Sequence, residues 1–497
     1  MPQAAAKGKR QAPCPVFDRC GACELLDVPY ADQLSRKQRF VEELFADLVP
    51  TASASAVFRP IIGMEDPFRY RNKVISPYAP GKKIAGPSAG KGAGFAHGGK
   101  QGRDRGRRAP VRREVLTGMY AKGTHRLVPT DTCLLENETA KAVTLAVRDL
   151  MQKWSIEPYD EDAGAGFMRH AVVRVGHESG EVLVTLVTNS EEFPSSKSFC
   201  RELVRRVPAV TTVVQNVNLR QTNVILGDSE RVLYGPGFIL DTLCGLTFRI
   251  SSHSFYQVNA VQTEVLYNEA IRLADFAGGE VAIDAYCGTG TIGLVAASRG
   301  AGRVIGVDSV ESAVRDARQN ARHNGVENAE FVAADATAFL EDLASRGVGD
   351  GALPADAGLV LLMDPPRAGS TGRFLDAAAR LAPDRIVYIS CNPETQARDA
   401  AHLARRGYRI DCIQPVDMFP HTGHIECICR FTRADADADG GADAAATALR
   451  EADADVAAAA PHGAGSLPAP AVAGNSPAPA ADAPDAANNP SEGDDVR

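Results

Sequence analysis

Nowhere in the 497-residue chain do eighteen consecutive apolar residues occur, so no segment has the composition of a membrane-spanning helix. The stretch Met1 to Pro13 is basic and alanine-rich and lacks the apolar h-region of a secretory signal. These absences argue against integral-membrane and secreted proteins and lead us to expect a cytoplasmic protein with no membrane partner. Large apolar residues almost vanish past Arg433, where Ala, Asp, Pro and Gly dominate. Such a segment cannot offset its ordering entropy, and residues 434–497 are expected to form a disordered acidic tail, with residues 1–13 a disordered N-terminus. A disulfide framework is also unexpected, because the 11 cysteines are odd in number and a reducing cytosol keeps thiols free. Metal ligation or catalysis becomes the better question to ask of them.

The formal charge of -8 is misleading as a guide to partners. Residues 434–497 hold 12 acidic residues and 2 arginines; removing them from 62 and 54 leaves 50 acidic and 52 basic residues over 1–433. Positive charge is concentrated between Gly81 and Arg113, where Lys82, Lys83, Lys91, Lys100, Arg103, Arg105, Arg107, Arg108, Arg112 and Arg113 stand among glycines. Residues 81–113 read as a flexible basic insertion able to bind phosphates, or as a solvated insertion with no partner; composition alone does not choose.

Between Tyr30 and Leu48, Leu34, Phe40, Val41, Leu44, Phe45 and Leu48 recur at helical spacing, with Arg36, Lys37 and Arg39 elsewhere around the helix. From Phe167 to Ile250 the patterns are short and β-branched, at 171–175, 182–188, 213–217 and 248–250, as in an α+β domain. After Ser251 strands alternate with helical stretches. The strands fall at 281–285, 304–307, 331–334, 359–363 and 386–389, which implies an α/β architecture with a doubly wound parallel sheet. Two β-like segments, 409–413 and 425–431, come after them as an antiparallel closing pair.

The turn Asp284-Ala285-Tyr286-Cys287-Gly288-Thr289-Gly290-Thr291 leaves the first of these strands and opens a helix. Glycines there let backbone approach a ligand, and a helix N-terminus offers free N–H groups, so an adenosine-type ligand fits. Asp308 lies 20 residues after Gly288, at the spacing from which a carboxylate reaches ribose hydroxyls. The third glycine of the dinucleotide fingerprint is missing, which counts against NAD. Asp335 could reach an adenine, although an exposed strand-end aspartate is the plainer reading. The fourth strand ends in Asp364-Pro365-Pro366-Arg367 and the fifth in Ser390-Cys391-Asn392-Pro393, both at the carboxyl edge where open α/β sheets bind ligands. A buried unreactive thiol is the ordinary alternative for Cys391 alone.

Four signatures carry a resemblance: Ser254-Phe255-Tyr256-Gln257-Val258-Asn259, Asp284 to Gly290, Ile389-Ser390-Cys391-Asn392-Pro393, and Met418-Phe419-Pro420-His421-Thr422-Gly423-His424-Ile425-Glu426. Over residues 14–432 the chain resembles the RNA uracil-5-methyltransferases, and within them the iron–sulfur members that modify 23S ribosomal RNA. The resemblance implies a class I S-adenosylmethionine methyltransferase fold, with a Rossmann-like seven-stranded sheet at 246–433. Residues 14–245 would form an iron–sulfur and central α+β domain that binds RNA. By the same resemblance Cys391 is the nucleophile, Glu426 removes the C5 proton, and Gln257, Tyr286, Asp308 and Asp364 contact S-adenosylmethionine. The chemistry asks for this set, since C5 of uracil is a poor nucleophile until a thiolate adds to C6.

Cys14, Cys20 and Cys23 form a C-x5-C-x2-C run, with Cys133 far downstream. Four thiolates suit a 4Fe-4S cluster or a tetrahedral zinc, and spacing does not decide. The resemblance implies the 4Fe-4S cluster, in a structural role. The remaining cysteines, Cys200, Cys244, Cys287, Cys412, Cys427 and Cys429, read as core or incidental thiols. A uracil C5 inside a duplex is unreachable, so the target is single-stranded, looped or flipped. Many iron–sulfur members carry an extra N-terminal RNA-binding barrel; the sequence here starts too close to Cys14 for one, so RNA affinity is expected from elsewhere. The expected partner is RNA, 23S ribosomal RNA before transfer RNA, with a monomeric protein and no obligate protein partner. Two other readings stay open: an amino-methyltransferase, against which Arg367 stands in place of an aromatic after Asp-Pro-Pro, and a non-enzymatic RNA-binding assembly factor.

Overall fold

The computed structural model describes residues 12–84, 113–346 and 357–434. Expectations for the extreme N-terminus, for residues 85–112 of the basic insertion and for the tail from 435 onward lie outside the described residues. Helix α1 (Tyr30–Phe45) ends in a 3-10 turn and is followed by the short helix α2 (Ala54–Val57). Its buried row is Gln33, Lys37, Val41 and Phe45, one residue per turn. Lys37, which the apolar pattern places away from the buried face, is 3% exposed, whereas the apolar Phe40 is 39% exposed.

A first seven-stranded sheet comprises β1 (Lys73–Lys83), β2 (Arg113–Tyr120), β3 (Leu127–Pro129), β4 (Met168–Val175), β5 (Val182–Thr188), β6 (Val210–Val217) and β7 (Ser229–Tyr234), in the order β3-β2-β1-β4-β5-β6-β7. Helices α3 (Glu138–Trp154) and α4 (Ser196–Arg206) cover one face. The Asn137 side chain caps α3 by accepting from the Thr139 and Ala140 amides. Pairing is antiparallel except between β5 and β6, which the α4 crossover makes parallel. Val74, Tyr78, Val173, Val184 and Leu186 pack against Val143, Val147, Phe199 and Leu203.

The second unit begins with a hairpin, β8 (Ile239–Leu243) and β9 (Leu246–Ile250), turned at Cys244 and Gly245, both at positive φ. Ile239, Leu243, Phe248 and Ile250 join the core of the C-terminal sheet. Its two strands pair with one another across residue 245, so 239–250 forms one piece with the C-terminal unit. The succession continues with α5 (Ala260–Ala274), β10 (Val281–Ala285), α6 (Thr291–Ser298), β11 (Arg303–Asp308), α7 (Glu311–His323), β12 (Ala329–Ala333), α8 (Ala336–Arg346), β13 (Leu359–Met363), α9 (Gly372–Leu381), β14 (Arg385–Ser390), α10 (Pro393–Ala404), β15 (Tyr408–Val416) and β16 (Glu426–Arg433). The strand order is β12-β11-β10-β13-β14-β16-β15, with β16 antiparallel to both neighbours and the other pairs parallel. Order reverses between β10 and β13, the switch point where such sheets open a crevice.

Alternation along the strands divides the core in two. Ala282, Val304, Leu362 and Val387 face α5, α6 and α7, while Ile283, Ile305, Leu361 and Tyr388 face α8, α9 and α10. Val41 and Phe45 of α1 enter the second of these cores, and the chain after α2 runs beside β15, with Arg59 N donating to Ile413 O and Ile62 N to Pro415 O at 2.9 and 3.0 Å. Residues 30–62, within the span expected to build the N-terminal domain, thus pack on the C-terminal sheet. No helix among the described residues is long and apolar enough to cross a membrane.

Candidate active site

At the switch point the chain leaves β10 through Tyr286 and Gly288, at φ 66° and 53°, and enters α6 at Gly290, φ 80°. A side chain on Gly288 would meet nothing within 4 Å, whereas one on Gly290 would strike Phe331 at 2.8 Å. One glycine therefore keeps a space open and the other lets the helix close on the sheet. Asp308, at the end of β11, accepts from the Gly288 amide at 2.9 Å, so the expected ribose-binding carboxylate is tied to the glycine turn. Asp284 is 1% exposed and accepts from the Gly293 amide inside α6 at 2.8 Å. Burial, with Asp364 and Asp308 nearby, raises its carboxyl to about 8. Sequence reading gave Asp284 no role of its own; an aspartate inside a β-strand was the available signal. Tyr286 lies beside Ser370, hydroxyl to hydroxyl 3.4 Å. Asp335 is exposed and accepts from the Ala338 amide at the head of α8.

Three parallel-sheet ends and the start of β16 bring the reactive candidates together. Cys391 follows β14, its turn fixed by Ser390 Oγ and by Asn392, whose amide nitrogen donates to Arg367 O at 3.1 Å. Burial raises the Cys391 thiol to about 12, with Glu426 and Asp364 adding to the rise and Arg367 opposing it. Desolvation raises Asp364 to about 7. Glu426, 3% exposed, is held well above the usual carboxylate range by burial and by Asp364, again with Arg367 opposing. Gln257 lies beside the buried Tyr267 hydroxyl, which senses Asp364, Glu426 and Asp284. The site thus gathers a half-buried thiol, the half-buried Asp364 and the buried Glu426, with the exposed Arg367 guanidinium beside them. Such a site disfavours negative charge until a cation arrives.

The loop from Asp417 to Gly423, which leads into Glu426, is held by residues about 390 positions earlier. Lys37 Nζ reaches Asp417 at 2.7 Å with both side chains buried, and Tyr30 OH donates to the same carboxylate at 2.9 Å. Gln33 Oε1 accepts from the His421 amide at 3.0 Å, and the Glu24 and Leu25 amides donate to His421 O at 3.0 Å. Tyr70 OH donates to Pro420 O. His421 sits at φ 65°, a conformation these contacts impose on a non-glycine residue. Sequence reading missed Gln33 and Lys37 as site-building residues, because polar residues at helical spacing read as a solvated face, and missed Asp417 because its partners lie far away along the chain.

Cys14, Cys20, Cys23 and Cys133 line one small apolar cavity of about 20 Å3 with Val16, Phe17, Leu26 and Met119. No three His, Cys, Asp or Glu side chains among the described residues are drawn together as round a single metal ion. The segment carrying the first three thiols is pinned on both sides: Gly21 N donates to Tyr120 O at 3.0 Å, and Glu24 Oε2 accepts from Gly423 N at 3.2 Å. The six other cysteines outside the reactive pocket, Cys200, Cys244, Cys287, Cys412, Cys427 and Cys429, are buried.

A model of the tRNA (Uracil-5-)-methyltransferase family matches residues 239–434. An uncharacterized RNA methyltransferase of Halalkalibacterium halodurans is 39% identical over 424 residues, 85% of this chain and 84% of that one. Another from Listeria monocytogenes is 38% identical over 418 residues, 84% and 83% of the two chains. Among solved structures, the Pyrococcus abyssi tRNA (uracil-54, C5)-methyltransferase in complex with S-adenosyl-L-homocysteine is similar at 27% identity and a TM-score of 0.60, covering 83% of this chain and 86% of that one.

Proposed function

The chain belongs to the RNA uracil-5-methyltransferase family, and on that premise we propose that it methylates C5 of a specific uridine in RNA through a covalent bond between Cys391 and C6. The observation that carries the reading is the meeting of Cys391, Glu426 and Asp364 at the carboxyl edge of one sheet, beside an open glycine turn tied to Asp308. The open space over Gly288 and the capless head of α6 fit an adenosine-type group. Gln257, Tyr286, Asp308 and Asp364 would hold S-adenosylmethionine, which supplies an electrophilic methyl on a sulfonium.

The Cys391 thiolate adds to C6 and places the electron pair of the C5–C6 bond on C5 and O4. C5 takes the methyl group as its bond to the sulfonium breaks and S-adenosylhomocysteine leaves as a neutral thioether, and C5 then carries both methyl and proton. Glu426, as carboxylate, removes that proton; the C5–C6 double bond reforms and the C6–sulfur bond breaks, returning Cys391. Arg367 is the cation that offsets the two acids while the thiolate forms.

Cys14, Cys20, Cys23 and Cys133 fit a 4Fe-4S cluster, being four thiols round one apolar space. In this reading the cluster is structural, fastening residues 14–25 between β2 and the loop before Glu426. The four thiols favour 23S ribosomal RNA as substrate. Transfer RNA is the second reading, favoured by the solved Pyrococcus abyssi relative, which acts on a transfer RNA uracil.

The test is to incubate purified protein with tritiated S-adenosylmethionine and unmodified 23S ribosomal RNA or transfer RNA, and to map the product. Label at uridine C5 in one RNA is expected. Absence of label in both, from folded protein, refutes the enzymatic reading in favour of an RNA-binding factor.

A further inference from the structure

Lys73 and Arg174 stand directly opposite one another on β1 and β4. Their neighbours Val74, Val173 and Val175 pack under the helices, so alternation turns Lys73 and Arg174 to the other face of the first sheet. That face meets the second unit, whose core Leu183 joins from the adjacent β5. Arg174 is 5% exposed; its Nη2 donates to Ser252 O at 3.3 Å and to Ser254 O at 2.6 Å, and its Nε has no partner. Lys73 makes no ion pair and no hydrogen bond among the described residues.

Among the described residues no carboxylate answers either charge. Burial pushes Lys73 down to about 7, with Arg174 adding to the fall, and burial alone lowers Arg174 to about 10. Glu230, which reaches the same loop, is already engaged by His253 at 3.2 Å and by Asn216 at 2.9 Å. Two adjacent, largely desolvated cations without a counterion are costly in the free protein. The position is next to the working end of the molecule. Asn72 N donates to Val258 O at 2.8 Å and Asn72 Nδ2 to Gln257 O at 3.1 Å, while Arg174 holds the loop leading to Gln257.

We propose that Lys73 and Arg174 form a phosphate site at the junction of the two sheets, holding a backbone phosphate of the bound RNA beside the reacting uridine. The inference rests on the reading of the chain as an RNA methyltransferase. A phosphate diester supplies the missing charge and accepts from both Lys73 Nζ and the free Arg174 N–H.

The test measures equilibrium binding of unmodified 23S ribosomal RNA and transfer RNA by the full chain, its Lys73→Met variant and its Lys73→Arg variant across a series of salt concentrations. Lys73→Met is expected to weaken binding several-fold and to lower the slope of log affinity against log salt by about 0.7 to 0.9, the value of one phosphate contact. Lys73→Arg should restore the slope. Affinity for S-adenosylhomocysteine, read by calorimetry, should be unchanged, and thermal unfolding of Lys73→Met should come no earlier than that of the parent.

An unchanged slope in Lys73→Met, with the parent binding RNA, overturns the site. A fall in S-adenosylhomocysteine affinity in its place overturns it too, assigning the pair to the donor's carboxylate. Failure of the parent to bind either RNA overturns the RNA reading itself, and the site with it.

Discussion

Replacing Asp417 by Asn isolates the energetics of the clasp between α1 and the loop before Glu426. Lys37 Nζ would keep the Phe419 carbonyl at 3.2 Å and a neutral amide oxygen at 417 but no countercharge, in a place where its side chain is 3% exposed. An ammonium left there escapes by giving up its proton. From an ordinary value of 10.5, doing so at pH 7.5 costs at most about 4 kcal/mol, at about 1.4 kcal/mol per pH unit. The unfolded variant keeps the proton that the folded one has lost, so its stability rises with pH and the deficit against the parent shrinks by about 1.4 kcal/mol per unit. Lys37→Met leaves a buried carboxylate that escapes only by taking up a proton, so its deficit grows as pH rises. Tyr30 still donates to that carboxylate, which holds the loss near the lower end of the roughly 3–5 kcal/mol seen when buried pairs are broken. The double variant should be more stable than either single, since with both charges gone no buried ion is left uncompensated. Burial already pushes Lys37 below 10.5 in spite of Asp417, so the comparison belongs between pH 6.5 and 8.5. Urea unfolding followed by circular dichroism at three pH values in that window reads all four proteins. Parallel pH profiles for the two single variants, or a double variant as unstable as the worse single, would refute the reasoning.

Glu426→Gln should cut turnover by about 100-fold or more, and RNA bound covalently to protein should accumulate on a denaturing gel; Cys391→Ala should give neither product nor adduct, and equal adduct from the two contradicts the assigned roles. Alkylation of Cys391 by iodoacetamide, followed by mass spectrometry, should be slow in the free protein and faster with saturating S-adenosylmethionine than with S-adenosylhomocysteine. The sulfonium offsets the acids that raise the thiol, each unit of fall giving about tenfold more thiolate; identical rates would deny that Asp364 and Glu426 govern the thiol. Asp284 is raised from 3.8 to about 8, so its contribution to stability is complete below about pH 4 and is lost as pH climbs through 8. Asp284→Asn keeps an oxygen for the Gly293 amide and should gain stability over the parent on going from pH 5 to pH 8.5, measured by thermal unfolding; a constant difference would show that the carboxyl is not held protonated.

The C-terminal sheet was legible because its strands are continuous apolar runs bounded by turns. The spans read at 281–285 and 359–363 coincide with β10 and β13, and the closing pair lies antiparallel as expected. In the first sheet, β4, β5 and β6 were visible through their β-branched runs, while β1 and β2 were not. Pro77, Pro80 and Gly81 interrupt β1, and Gly118 interrupts β2, where its missing side chain lets Val128 O approach to within 2.1 Å of the place a Cβ would occupy. Asp308, Asp364 and Cys391, named by motif, stand at the ends of β11, β13 and β14, because motifs record local geometry. Lys37, Asp417, Lys73 and Arg174 left no such mark. Each acquires its meaning from a partner far along the chain, as Lys37 does from a residue 380 positions away, and single-sequence periodicity is blind to that.

That separation also has a consequence in time. A ribosome adding about 5–20 residues per second makes Asp417 roughly 20–80 s after Lys37, so α1 waits through the synthesis of 380 further residues before its docking site exists. During that interval Gln33 and Lys37 face water, where their polarity keeps the helix soluble, and Val41 and Phe45 are its exposed liability. The polar half of a buried row is what allows a helix made early to find its place late.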